Sequence, residues 1–439
     1  MGGIVGMYSF GKEKIGYLTY KALYAMQHRG QESAAIISSG NHDFIKHEKN
    51  GLVFDAFQDF PLEKFTGTMA IGQVSHQPSK DIDSIPPLCY DTQHGEIAIT
   101  HTGKIVNSND LKEKYSKEGS IFKTELDAEI MIHVYAQSKS PTLEGKIQEI
   151  YNQIPGAFSS IMMTSQELIV IKDSYGFMPL CMGKKDNAYI FASESCVLDM
   201  LKAQYLREIE PGEMIVVNKN GFSAKKMVKD AHPHSCVFNL IYYARPDSIV
   251  FGKQVSQQME KFAQKLAEED TIQADIVIPV PDAGNHAALG YSKAKDIPFD
   301  LALIRSHYSG RAFSSQEKGN FGIEMKFSVI KDKVKDKEVM VVDDSLYTAK
   351  TAKKINKILR EAGAKKIHNR YNSPQIFHLC PYGIPNREEL IAPTHSLKEI
   401  TKTINADSLK HLSVEGLKSC LENPEDYCFA CFDGNFPLK

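Results

Sequence analysis

Short apolar runs punctuate the first half of the chain. Residues 3–8, 33–37, 69–74, 97–100, 159–163, 168–171, 189–192 and 213–217 each predict a β-strand, and Gly, Asn or Asp closes several of them. Residues 16–26, 127–136 and 142–154 instead repeat their apolar positions at helical spacing. Many strands and few helices predict an α+β domain of two sheets, with helices outside a β core. A polar stretch with a proline at 229–234 reads as a linker, giving a first domain over 1–230 and a second over 231–439. The rhythm then changes. Strands at 275–279 and 339–342 alternate with helices at 256–269, 287–294 and 350–362, which predicts an α/β domain with a mainly parallel sheet. Residues 380–439 read as helical and then irregular, and the charged run KDKVKDKE at 331–338 as a solvated loop.

One junction in this pattern carries chemistry. The apolar strand 339–342 ends in Asp343, Asp344 and Ser345, and a helix follows with Ile355, Ile358, Leu359 and Ala362 on one face. Gly363 stands where a glycine stop is expected. A loop between a strand's C-terminal end and a helix N-terminus gathers free N–H groups and the helix dipole, so it suits an anion. Asp343 and Asp344 on such a loop suit ribose hydroxyls or a hydrated Mg²⁺. The same residues also read as an ordinary turn with a solvated acid pair.

Composition narrows the class. The chain has 439 residues, 42% hydrophobic and 24% charged, as in globular proteins with real cores. A formal net charge of -2 gives no electrostatic case for nucleic acid or an anionic membrane. No apolar run approaches the roughly 18–20 residues that span a bilayer. The first residues show no charged segment ahead of an apolar core, and Gly6 breaks a myristoylation pattern. A cytoplasmic location is expected. Eight cysteines in so long a chain are no disulfide framework, which turns attention to metal or redox chemistry.

Ordered motifs then run nearly end to end: GIVG at 3–6, QHRGQES at 27–33, PGAFS at 155–159, ASESC at 192–196, IEPGE at 209–213 and YYARPDS at 242–248. VIPVPD at 277–282, YSGRAF at 308–313, VVDDS at 341–345 and REAGAKKIH at 360–368 continue the series. In these motifs the chain resembles the glutamine phosphoribosylpyrophosphate amidotransferase (amidophosphoribosyltransferase) family. The resemblance implies an N-terminal Ntn-type glutaminase domain, an αββα sandwich, followed by a type I phosphoribosyltransferase domain. It implies the reaction of phosphoribosyl pyrophosphate with glutamine to give 5-phosphoribosylamine, the first step of de novo purine synthesis.

The family's glutaminase nucleophile is a cysteine directly before GIVG, with its own α-amine as base. Here that position is Gly2. The family's carboxylate-clamping Arg is Ser75, and its oxyanion-hole Asn is Thr102, although Gly103 and Asp127 remain. Cys89, Cys181 and Cys196 match no catalytic motif and read as core thiols. No catalytic residue is therefore assigned in this half, and loss of glutaminase activity is expected.

In the phosphoribosyl loop the resemblance carries Asp343, Asp344, Ser345 and Thr351 over as substrate-binding remnants, the two acids also as Mg²⁺ ligands. Ala349 replaces a Gly of the phosphate cup, Thr348 replaces an Arg, and Lys350 brings a new positive charge. The metal-binding Ser of VPDS is Ala283. The closing loop starts with Arg305, Tyr308, Gly310 and Arg311, then loses the family pattern at 316–327, which keeps Lys326 but lacks the Arg and the Asn-Pro that follow. Weakened phosphate-sugar binding, no pyrophosphate displacement and loss of most transferase activity are expected.

Cys236, Cys380, Cys428 and Cys431 match the four [4Fe–4S] ligands of the iron–sulfur members of the family. Four thiolates also suit structural zinc. The resulting expectation is a diverged member with a cluster and degraded sites. Its role would be regulatory, ligand-binding or partner-binding, with a phosphoribosyl or purine nucleotide ligand, as a homo-oligomer or partner of an active homologue. The alternatives are an ammonia-dependent or otherwise active transferase, and a structural iron–sulfur protein.

Overall fold

The structure, a computed structural model, describes residues 2–11, 13–40, 43–76, 84–306, 327–384 and 389–438. Its first strands are β1 (Gly2–Ser9), β2 (Ser33–Ser38), β3 (Ile45–Asn50), β4 (Met69–Ser75), β5 (Leu88–Thr92), β6 (Gly95–Gly103) and β7 (Phe158–Thr164). Then come β8 (Leu168–Lys172), β9 (Cys181–Lys185), β10 (Ala188–Ala192), β11 (Gln204–Glu208), β12 (Glu213–Asn218) and β13 (Gly221–Lys226). Among the described residues they form two sheets, in the orders β11-β9-β10-β1-β4-β2-β3 and β13-β12-β8-β7-β6-β5. Every pairing is antiparallel. The helices of this half are α1 (Ile15–Ala25), α2 (Val53–Phe57), α3 (Ser108–Lys117), α4 (Asp127–Gln137), α5 (Leu143–Gln153) and α6 (Cys196–Leu201).

Burial explains the layers. Every residue of β1 is buried, because the strand is covered on both faces. Ile4 and Tyr8 face the core between the sheets with Ile71, Ile161 and Val170. Val5 and Met7 face the other way, toward Ile15, Leu23 and Val197 of α1 and α6. On the far side, Ile130 and Val134 of α4 and Ile147 and Ile150 of α5 cover Ile97, Ile99 and Ile169 of the second sheet. The result is helix, sheet, sheet, helix. A Cβ at Gly6 would lie 2.6 Å from Ile161, so a glycine is what lets the sheets approach there. Thr142 caps α5 by accepting a hydrogen bond from Gly145 N at 3.1 Å.

The second half runs β14 (Ser235–Cys236), β15 (Ile249–Val250), β16 (Lys253–Gln254), α7 (Val255–Glu268), β17 (Ile276–Pro279), α8 (Asn285–Lys295), β18 (Leu303–Arg305) and β19 (Phe327–Val329). It continues with α9 (Lys331–Val334), β20 (Glu338–Asp343), α10 (Lys350–Glu361), β21 (Lys366–Tyr371), α11 (Leu397–Thr403), β22 (Ser408–His411), α12 (Val414–Ser419), β23 (Tyr427–Cys428) and α13 (Ala430–Asp433). Strands β17-β20-β21-β22 form a parallel sheet. Met340 and Val342 of β20 pack toward α7 and α8. Val339 and Val341 pack toward Ile355 and Leu359 of α10. Gly363 takes φ +93 just past that helix, as a glycine stop requires.

Two expectations for this half need correction. The run 331–338 is not simply a solvated loop: α9 lies within it, Val334 is fully buried, and Glu338 opens β20. The region after 380 contributes a sheet strand, β22, where irregular chain was expected. Tyr308, Gly310, Arg311 and Lys326 of the closing loop lie outside the described residues.

Three of the motifs meet where the halves join. Glu194 is fully buried and accepts hydrogen bonds from Arg29 Nε, from His28 Nε2 at 2.8 Å, from Arg245 N at 2.9 Å and from Ser248 Oγ at 2.8 Å. Burial alone would raise its pKa, but the charges of Arg29 and His28 hold it far below the usual carboxylate range. Arg29 Nη2 also donates to Asn239 Oδ1 at 2.9 Å. QHRGQES, ASESC and YYARPDS thus lock one half onto the other.

Candidate functional site

Gly2 lies at the start of β1, opposite Ser75 of β4. Its N–H donates to Thr102 Oγ1 at 3.3 Å, and the same hydroxyl donates to Gly2 O at 3.0 Å. The space for a side chain is taken. A Cβ on Gly2 would fall 2.4 Å from Val74 O and 3.2 Å from Gln73 Nε2. Gln73 is buried and fully paired: Nε2 donates to His101 O at 3.0 Å, and Oε1 accepts from Thr100 Oγ1 at 2.7 Å and His101 N at 3.1 Å. Sequence reading missed Gln73, whose only signal was its place in the same strand as Ser75.

The other residues named for this pocket are close by. Gly103 takes φ +121 at the end of β6, and Asp127 opens α4 with Oδ2 accepting from Ile105 N at 2.7 Å. Burial raises the Asp127 carboxyl. Burial also pushes the Cys89 and Cys196 thiols up to about 12, far from the thiolate a nucleophile needs. Cys181 is buried as well.

The second site sits at the end of β20. Asp344 N donates to Asp343 Oδ1 at 2.9 Å, and Ser345 Oγ donates to Asp344 Oδ1 at 2.5 Å. Asp344 is buried, and burial pushes its carboxyl up to about 6. The loop closes on Ala349, which caps α10 at φ +64 and ψ -5. An alanine in the left-handed region costs about 1–2 kcal/mol relative to the right-handed one. The loop therefore keeps a glycine-like backbone turn although the glycine is gone. Lys350 and Thr351 are exposed on the first turn of α10.

Across from the acids, Arg305 Nη1 meets Asp282 Oδ2 at 2.8 Å, next to Ala283. Tyr242 also faces this place. The residue is 47% exposed, but desolvation on its inner side, then Asp344 and Asp343, raise its phenol to about 12, while Arg305 opposes them. Tyr242 was visible only as part of a motif and was not singled out from sequence.

The four matched cysteines come together. Cys236 on β14 and Cys428 on β23 are directly paired in a parallel register. Cys380 precedes a turn, with Tyr382 N donating to its Sγ at 3.4 Å, and Cys431 lies on α13. All four line one small cavity of about 20 Å³ with Phe177, Met178, Phe238, Tyr347 and other largely apolar neighbours. Among the described residues no group of three or more His, Cys, Asp or Glu could hold a single metal ion. A tetrahedral zinc would draw its thiolates to about 3.8 Å from one another, given Zn–S of about 2.3 Å.

Family models for a glutamine amidotransferase domain and a phosphoribosyl transferase domain match residues 77–200 and 247–369. The amidophosphoribosyltransferase of Bacillus subtilis is 38% identical over 449 residues, covering 100% of this chain and 94% of the relative. The chain belongs to the amidophosphoribosyltransferase family. Chloroplastic amidophosphoribosyltransferase 1 of Arabidopsis thaliana is 39% identical, over 100% of this chain and 78% of its own length. The solved structure of glutamine phosphoribosylpyrophosphate amidotransferase from Bacillus subtilis, complexed with ADP and GMP, superposes with a TM-score of 0.94. That match covers 100% of this chain and 97% of the other at 38% identity. The first half is thus an Ntn-type glutamine amidotransferase domain and the second a phosphoribosyltransferase domain. No helix among the described residues is long and apolar enough to cross a membrane.

Proposed function

We propose that this chain is an amidophosphoribosyltransferase that takes free ammonia in place of glutamine. The observation that carries the reading is Ala349 at φ +64 behind Asp343 and Asp344. The phosphate loop keeps its turn at a cost in backbone energy, on a chain similar along its whole length to named transferases. This favours a working transferase over the non-catalytic role expected from the motif changes. Asp343 and Asp344 would hold ribose hydroxyls or Mg²⁺, which when bound would neutralise pyrophosphate charge. Arg305 and Tyr242 flank the same space. Ammonia would attack the ribose carbon bearing pyrophosphate, and pyrophosphate would leave.

Loss of glutaminase activity is the second part of the proposal. Position 2 has no thiol and no room for one, and Thr102 is engaged with the Gly2 backbone. Ammonia would then come from solution or from an assembly with a glutaminase-competent homologue. The third part is a [4Fe–4S] cluster on Cys236, Cys380, Cys428 and Cys431, tying the start and end of the second domain together. Purine nucleotides are proposed as ligands of the phosphoribosyl loop, since a relative's structure was solved in complex with ADP and GMP.

Pyrophosphate release from phosphoribosyl pyrophosphate and Mg²⁺ tests the reading, with ammonia or glutamine as nitrogen donor. Release with ammonia and none with glutamine is expected. Release with glutamine would overturn the glutaminase part, and no release with either would overturn the transferase.

A further inference from the structure

The helices that cover the second sheet leave a polar cleft of about 260 Å³ between them. α3 reaches it through Lys114, Tyr115 and its capping residue Glu118, and α5 through Glu149 and Gln153. α4 ends beside it, and Lys139 lies just past that end. Asp127 opens the same α4, so the Gly2 pocket's acid stands about 15 Å away along the helix axis. The floor of the cleft is fixed. Tyr115 is buried, and its hydroxyl donates to Gln153 Oε1 at 2.8 Å. Lys114 Nζ donates to the same oxygen at 2.9 Å. Two donors on one oxygen set the amide's orientation, which leaves Gln153 its NH2 group to offer a ligand. Burial raises the Tyr115 phenol, and the charges of Glu118 and Glu149 add to this, so both carboxylates lie within electrostatic reach of the floor. The rim is charged but unpaired. Glu118 and Lys139 are exposed, and among the described residues neither side chain makes a hydrogen bond or an ion pair. Glu149 accepts only from Ser138 Oγ, at 2.7 Å. Two lysines and two carboxylates thus line one cleft with no ion pair among them, held apart by its width.

We propose that this cleft binds a free α-amino acid, with its ammonium held by Glu118 and Glu149 and its carboxylate by Lys139 and the Gln153 amide. A molecule carrying both signs meets both halves of the rim at once, and each contact is a charge-assisted hydrogen bond. The C-terminal ends of three helices add partial negative charge, which favours the ammonium end. The size suits a ligand smaller than the drug-sized molecules whose sites run from about 300 Å³. Such a ligand braces the ends of α3, α4 and α5 together and so stabilises the first domain by mass action. The site uses neither active-site region, and it stands whether or not the chain is a transferase.

The test is calorimetric titration of the full-length protein with each common α-amino acid, and with methylamine and acetate as probes of single charge. At least one amino acid should bind with a dissociation constant below about 1 mM. Methylamine and acetate should bind roughly tenfold more weakly or not at all. Glu149→Gln keeps an acceptor for Ser138, and Lys139→Ala removes an exposed side chain, so both variants should fold as wild type by circular dichroism. Each should weaken amino-acid binding roughly tenfold. Binding by no amino acid below about 1 mM would overturn the proposal. Methylamine binding as tightly as the amino acid would make the cleft a cation site and overturn it too. Weakening by only one of the two rim variants would reduce the contact to one charge, against the proposal. Binding abolished by Asp127→Asn but indifferent to both rim variants would place the ligand in the Gly2 pocket instead.

Discussion

The two active-site regions have diverged in opposite ways. At position 2 a glycine stands and the backbone leaves no room for a side chain, with Val74 O 2.4 Å from where a Cβ would sit. At Ala349 a side chain has changed, yet the backbone still makes the left-handed turn at φ +64. Identity alone scores both as losses. The proposed reading separates them by geometry: it takes a site that keeps a costly conformation without its usual residue as one still held to its task. It takes a site with no room for a side chain at the nucleophile position as one turned over to packing.

The largest expected effect would break this contrast outright. Asp344→Asn removes the buried carboxylate at the head of the loop and should cut ammonia-dependent pyrophosphate release by about a hundredfold or more. Rates within a few-fold of wild type would mean that the retained loop carries no chemistry.

The closed pocket should show its dryness in a pH titration. Burial holds the His101 imidazole down to about 3, while Nδ1 lies 3.0 Å from Ser160 Oγ. The unfolded chain takes up this proton near pH 6.5, whereas the folded chain refuses it until about 3. Stability present at neutral pH is therefore lost as pH falls between those values, by up to about 1.4 kcal/mol per pH unit. His101→Asn should lack that component, so its stability relative to wild type should improve between about pH 7 and about pH 5 in urea unfolding. An unchanged difference would show that His101 is solvated.

Next in size is Gly2→Cys. The added side chain meets backbone, so the variant should lose about 1–3 kcal/mol and should still not hydrolyse glutamine after removal of Met1. Ammonia release from glutamine would reopen the first site and erase the contrast.

Much of this was legible in the sequence. The central strands were found because burial on both faces makes them continuous apolar runs, as in β1 and β20. Of the missed strands of the first half, β3, β5, β11 and β13 lie at sheet edges, and exposed Lys and Ser residues hide the period in β13; β9, inside its sheet, was missed too, its buried Cys181–Gly183 giving way to Lys184 and Lys185. In β21 the buried polar residues Asn369 and Arg370 concealed a core strand; Arg370 pairs with the buried Asp270 and Asn369 Oδ1 accepts from Asn356. The acid pair and the cysteines stood out as residue types. The filling of the Gly2 pocket by Gln73, and the gathering of Glu118, Lys139 and Glu149 around one cleft, depend on which strands and helices meet. No local pattern encodes that.

The smallest effect is the most specific to the second site. Ala349→Gly relieves about 1–2 kcal/mol of left-handed strain, but glycine returns about 0.5–1 kcal/mol through the freedom it gains on unfolding. The net gain should lie between about 0 and about 1.5 kcal/mol in urea unfolding, with ammonia-dependent transfer within about twofold of wild type. Ala349→Val should do the reverse, because a β-branched residue tolerates this turn poorly, and both stability and phosphoribosyl pyrophosphate binding should fall. If Gly instead weakened binding sharply, the Ala349 methyl, which packs with Leu346 and Tyr371, would be supporting the loop. The second site would then have been rebuilt around its new residue, and its turn would owe more to packing than to phosphate.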